Sequence, residues 1–125
     1  MLRHCHHIAI IGSDYCKSKE FYIDKLGFVP FYEVYRKAEQ DHLIMARCGD
    51  TVVELFIRPN APARVTDPEA LGLRHLAFRV DDMDKAVAWL QGMGIETEPV
   101  RISTVDGKKM TFFRDPDGLP LELHE

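Results

Sequence analysis

His-Ile-Ala-Ile-Ile at residues 7–11 returns as His-Leu-Ala-Phe-Arg-Val at residues 75–80, and its surroundings return with it. Asp14 follows His7 by seven residues, and Asp82 follows His75 by seven. Val-Val-Glu-Leu-Phe at 52–56 places Glu54 47 residues after His7. Leu-Pro-Leu-Glu-Leu at 119–123 places Glu122 47 residues after His75. A duplicated module therefore carries two imidazoles and two carboxylates to related positions.

Working outward, each copy predicts one order of elements. In the first, residues 5–11 alternate and read as a strand. Ser13 or Asp14 caps a helix running to about Leu26, where Gly27 suits the left-handed position after its end. Strands follow near Val29–Arg36, His42–Cys48 and Thr51–Arg58, with Gly49-Asp50 as a tight turn. The second copy predicts a strand near Arg74–Val80, then a helix capped by Asp81 or Asp82. That helix carries the apolar stripe Met83, Ala86, Val87 and Leu90 and stops at Gly94. Strands near Thr97–Arg101, Lys109–Arg114 and Leu119–His124 complete it, with Asp115-Pro-Asp-Gly118 as a turn. Both copies read βαβββ, an α+β class. Arg58 to Ala70 holds three prolines and reads as a linker. The expected organisation is a single domain over 1–125: module one 4–58, linker 59–71, module two 72–125.

Strand parity places the side chains, since residues two apart share a face. His7, Ala9 and Ile11 oppose Ile8 and Ile10, and His75, Ala77 and Arg79 oppose Leu76, Phe78 and Val80. Pro120, Glu122 and His124 oppose Leu119, Leu121 and Leu123, whereas Glu54 shares its face with Val52 and Phe56. The large apolar residues pack under each helix and leave the His and Glu positions on the other face. A carboxylate inside an apolar strand needs a cationic or metal partner. His4 and His6 have the wrong parity, and His42 has no counterpart in the repeat; His124 can support Glu122 or meet substrate.

The bulk properties exclude several classes. A net charge of −4 with no basic block argues against nucleic acid or an anionic membrane surface as partner. The N-terminus has no apolar signal core, and no run approaches the roughly 18 apolar residues of a membrane-spanning helix. Cys5, Cys16 and Cys48 are an odd, widely spaced set without Cys-x-x-Cys, so a disulfide framework is not expected and a reducing cytoplasm is.

Taken singly, each of the four repeated residues is better read as a satisfied core histidine or an arginine-paired glutamate. Two equally spaced pairs at matching positions favour one metal site. His7, Glu54, His75 and Glu122 make a nitrogen and oxygen donor set for one borderline divalent ion, Zn or Ni first, then Co, Mn or Fe. Four protein donors leave two octahedral positions for substrate oxygens, an arrangement suited to stabilising an enediolate.

These residues resemble the vicinal oxygen chelate superfamily, in particular its glyoxalase I branch. The carriers are His-His-Ile-Ala-Ile at 6–10, Phe-Tyr at 21–22, Leu-Gly-Phe at 26–28 and Val-Glu-Leu at 53–55. In the second half they are Gly-Leu-Arg-His-Leu-Ala-Phe-Arg-Val-Asp-Asp at 72–82 and Asp-Pro-Asp-Gly-Leu-Pro-Leu-Glu-Leu at 115–123. The resemblance implies two βαβββ modules forming an incomplete eight-stranded barrel around a metal, with the four ligand positions on His7, Glu54, His75 and Glu122. It implies Glu122 as the main proton-transfer base, with Glu54 assisting, and a homodimer that in many members exchanges modules between chains. A glutamate at the Glu54 position separates the glyoxalase branch from extradiol dioxygenases and fosfomycin-resistance enzymes. Two residues that hold glutathione in glyoxalase I are replaced: an arginine by Ile11 and an asparagine by Arg58. Arg79, on the face of His75, is positioned to hold an anionic substrate.

The expected activity is a metal-dependent glyoxalase I-like lyase acting on the hemithioacetal of a 2-oxoaldehyde and a thiol. The alternatives are a methylmalonyl-CoA epimerase-like enzyme, which resembles Gly72–Asp82 but usually has glutamine at the Glu54 position, and a metal-free binding protein of the bleomycin-resistance type.

Overall fold

The computed structural model describes residues 1–125. The elements are β1 (His7–Gly12), α1 (Tyr15–Lys19), β2 (Val29–Arg36), β3 (Asp41–Cys48) and β4 (Thr51–Ile57), then β5 (Leu76–Arg79), α2 (Met83–Gly92), β6 (Arg101–Ile102), β7 (Lys109–Arg114) and β8 (Pro120–His124). They fall into two compact units, Met1–Pro62 and Ala63–Glu125. Each unit is a four-stranded mixed sheet, ordered β1-β4-β3-β2 in the first and β5-β8-β7-β6 in the second. The outer pair is parallel in both, and the last three strands form an antiparallel meander. This is the α+β class and the βαβββ order that the repeat predicts.

The large apolar side chains occupy the buried face of each sheet, as strand parity predicts. In the first unit Ile10, Ile44, Ala46, Val53, Leu55 and Ile57 are buried, together with Phe21, Tyr22 and Phe28. In the second, Leu76, Met83, Leu90, Phe113, Leu121 and Leu123 are buried, while Ala86 and Val87 are half-buried. Burying one such aliphatic or aromatic side chain contributes about 1.5–3 kcal/mol, so these faces, rather than local propensity, hold each sheet to its helix.

The capping signals act as expected. Asp14 accepts from the Lys17 N–H at 2.8 Å, and Asp82 from the Lys85 N–H at 3.0 Å. Gly27 and Gly94 both have φ +73°, the left-handed position that ends each helix. Asp115 accepts from the N–H groups of Asp117 and Leu119 at 2.9 and 2.8 Å, folding the turn before β8.

Four expectations need correction, the first being the strand expected over Arg74–Val80, which is shortened to Leu76–Arg79 and leaves His75 just before it. The first helix is α-helical only to Lys19 and continues over Glu20–Lys25 as a π-helix. The wider turn lets the adjacent rings of Phe21 and Tyr22 both be buried. The strand expected over Thr97–Arg101 is reduced to Arg101–Ile102. Pro99 has no N–H to give a ladder, although Glu98 still donates its N–H to the Phe112 carbonyl at 2.8 Å. The first strand begins at His7 rather than residue 5, so Cys5 lies outside it.

Candidate metal centre

The equal spacings in sequence become equal registers in the sheets. β1 runs parallel to β4 with Ala9 opposite Glu54, and β5 runs parallel to β8 with Ala77 opposite Glu122. In each unit the glutamate therefore sits beside an alanine with a histidine two residues earlier: His7 opens β1, and His75 immediately precedes β5. The alanine methyl leaves room for the imidazole to lean toward the carboxylate.

The pairs form in both units. His7 Nε2 lies 3.6 Å from Glu54 Oε2, and His75 Nε2 lies 2.9 Å from Glu122 Oε2. No arginine forms an ion pair with either glutamate, so the arginine-paired alternative is not what this chain adopts. Glu122 is 6% exposed, and its other oxygen meets His124 Nδ1 at 2.7 Å. His124 Nε2 in turn meets Asp106 Oδ2 at 2.8 Å. An imidazole with a carboxylate on each nitrogen is stabilised as the cation, and the pKa of His124 is raised, first by Glu122 and then by Asp106. Asp106 is correspondingly held down to about 2, chiefly by the hydrogen bond from His124.

The histidines have further neighbours. His6 Nδ1 is 2.8 Å from His7 Nδ1, and the two rings meet edge to face at 5.1 Å. Arg74 Nη1 lies 3.2 Å from His75 Nδ1. An arginine only donates, so this nitrogen accepts and Nε2 carries the ring proton toward Glu122. An ion at Nε2 would replace that proton, as imidazole ligation generally does. Phe112 packs edge to face on His75 with centroids 5.1 Å apart.

The donor set fits a divalent ion. Two ligand atoms each about 2.1 Å from one ion stand about 3.0 Å apart at a right angle and about 3.4 Å apart at the tetrahedral angle. The observed separations of 2.9 and 3.6 Å are close to these values. What each unit forms is one His–Glu pair, and no group of three or more His, Cys, Asp or Glu side chains able to hold an ion is gathered.

The remaining candidate residues have distinct settings. Arg58 donates from Nε to Asp41 at 2.9 Å and lies 6.0 Å from the centre of the Phe56 ring. Asp41 is fully buried and also takes a two-pronged contact from Arg36, at 2.7 and 2.6 Å, which holds its carboxyl below the usual range. Arg79 is exposed and has no carboxylate within ion-pair distance; its β-pairing opposite His124 puts it on the Glu122 face. His42 lies between the Tyr15 and Tyr35 rings, at 4.9 and 4.8 Å, as an aromatic packing residue. No periodicity or motif points to Asp106, which reaches His124 from a loop, and strand parity sets His6 aside although its ring contacts His7.

A family model described as the Glyoxalase/Bleomycin resistance protein/Dioxygenase superfamily matches residues 4–123. The chain belongs to that superfamily. It is 55% identical to the uncharacterized protein YwkD of Bacillus subtilis (strain 168), over 100% of this chain and 98% of that one. The solved structure of a glyoxalase family protein from Enterococcus faecalis is similar at a TM-score of 0.96 and 50% identity, covering 98% of each chain. Lactoylglutathione lyase from Agrobacterium tumefaciens shares the fold, with a TM-score of 0.72 and 22% identity over 98% of this chain and 92% of that one. No helix is long and apolar enough to cross a membrane.

Proposed function

We propose that this protein is a metal-dependent lyase of the glyoxalase I type, converting the hemithioacetal of a 2-oxoaldehyde and a thiol into a 2-hydroxyacyl thioester. The observation that carries the reading is a glutamate facing a histidine in each module, in the same register. His7, Glu54, His75 and Glu122 would hold one divalent ion, two donors from each module, supplied by one chain or by two copies in a homodimer. Its fold likeness to lactoylglutathione lyase is consistent with this reading.

The bound ion would supply Lewis-acid polarisation of the substrate oxygens. The protein's own part is proton transfer. Glu122 takes the proton from the carbon that bears sulfur and hydroxyl, and the C–H electron pair moves toward the adjoining carbonyl. Returning that proton to the neighbouring carbon, while the hydroxyl proton passes from the first oxygen to the second, leaves a hydroxyl there and a thioester carbonyl at the first, with no outside oxidant. His124, held by Asp106, fixes one oxygen of Glu122, so the carboxylate keeps one orientation through both transfers. Glu54, less buried and farther from its histidine, assists. Arg79 supplies a cation on the Glu122 face for an anionic part of the substrate; Arg58, tied to Asp41, offers a second at the end of β4.

The test is thioester formation from methylglyoxal and glutathione by metal-free protein reloaded separately with Ni and Zn. Thioester with either metal supports the reading. Stoichiometric metal without thioester, from glutathione or other small thiols, overturns it; solvent exchange of an acyl-CoA α-proton in that protein would point instead to epimerisation.

A further inference from the structure

In the second unit a cavity of about 110 Å³ is ringed by Arg64, Arg74, Arg101 and Arg114. We propose that this cavity binds the dianionic phosphoryl group of an organic phosphate. The volume is several times the ~10–15 Å³ that one water requires.

Charge is the first argument. Four guanidiniums face two carboxylates, Glu69 and Glu98, leaving a local surplus of two positive charges in a chain of net charge −4. Ordinary surface pairing would match each arginine with its own acid. Here Glu98 is shared between Arg101 and Arg114, at 3.3 Å from each, long for charged partners. Arg64 forms no ion pair, although its charge acts on Glu69, and it donates to the backbone carbonyls of Leu73 and Arg74 at 2.9 Å. Only Arg74 has a close two-pronged contact, with Glu69 at 2.9 and 3.0 Å. A monoanion would leave the surplus half neutralised, while a phosphoryl dianion matches it and offers oxygens to several planar guanidinium forks at once.

Position is the second argument. Buried Phe112 lines the cavity, with the Arg101 guanidinium 5.3 Å above its ring. The same ring packs on His75, and Phe112 pairs across the sheet with Glu122. A phosphoryl group among the arginines therefore brings the rest of its molecule beside the His75–Glu122 pair. That this neighbour is a reaction centre rests on the lyase reading; the binding itself does not.

The experiment uses metal-free full-length protein, so the cavity and the metal reading fail separately. Phenyl phosphate, inorganic phosphate and acetate are titrated calorimetrically at low salt into wild type, Arg64→Gln and the double variant Arg101→Gln/Arg114→Gln. Both arginines of the pair are more than half exposed, and circular dichroism checks that the variants fold. Saturable binding of phenyl phosphate is expected, at least as tight as inorganic phosphate and at least tenfold tighter than acetate. It should weaken at least tenfold in the double variant and severalfold in Arg64→Gln. Equal binding of acetate, exclusion of phenyl phosphate while inorganic phosphate binds, or unchanged affinity in the double variant would each overturn the proposal.

Discussion

The two modules share a strand order and a register, yet they treat their carboxylates differently. In module one Glu54 stands 3.6 Å from a histidine whose side chain is 43% exposed. In module two Glu122 is 2.9 Å from a histidine whose side chain is 26% exposed, and His124 and Asp106 hold it from the other side. The residue two after the glutamate makes much of the difference. At that place module one has Phe56, covered by the Arg36 guanidinium at 4.8 Å, where module two has His124. Duplication set where each His–Glu pair sits, and divergence around the pairs decided which carboxylate is held in a single orientation. Glu122 is accordingly the residue assigned the proton transfer, and Glu54 the assisting one.

The asymmetry breaks most sharply in activity. Glu122→Gln should lower kcat/KM for thioester formation by roughly 10²–10⁴-fold, the range of a lost general base. Glu54→Gln should cost clearly less. Equal losses would dissolve the distinction between the modules. In the cores, by contrast, the modules should behave alike. Leu55→Ala and Leu123→Ala each remove a buried leucine, at a cost of about 2–5 kcal/mol in urea unfolding. A negligible cost in one module alone would show that the two faces are not packed equivalently.

The support of Glu122 gives smaller effects. His124→Ala should weaken metal affinity about 10–100-fold, as losing a residue that orients a ligand generally does. Phe56→Ala, at the matching place, should change it far less, as measured by competition with a chelator. The smallest effect is the acid dependence of Asp106. Its folded pKa of about 2 lies below the ordinary 3.8, so its stabilising contribution is full above the ordinary value and lost as pH falls through about 2. The Tm difference between wild type and Asp106→Asn should therefore be present at pH 5–7 and shrink toward pH 2. A difference that grows with acidity would contradict the sign. The effect is modest because the pair is partly in solvent.

Much of this was readable before the fold. The spacing of His7 to Glu54 and of His75 to Glu122 anticipates the two His–Glu pairs, because equal spacing across a parallel pair means equal register. Alternation sorted Ile10, Leu121 and Leu123 to the cores correctly. What escaped is what periodicity does not encode. The π-helical turn at Glu20–Lys25, which buries Phe21 and Tyr22, leaves no mark that a 3.6-residue period would reveal. Shortening of β6 follows from Pro99 breaking the ladder. Asp106 reaches His124 from a loop 18 residues earlier, and loop reach leaves no pattern in sequence. His6 was set aside by strand parity, but it precedes β1, where parity does not govern.

The most direct measurement is anomalous diffraction from crystals of the Ni-loaded protein. One strong peak per site is expected, with His7, Glu54, His75 and Glu122 all at about 2.0–2.3 Å. A peak held by one module's pair alone, or by His4 and His6 outside the strands, would contradict that expectation.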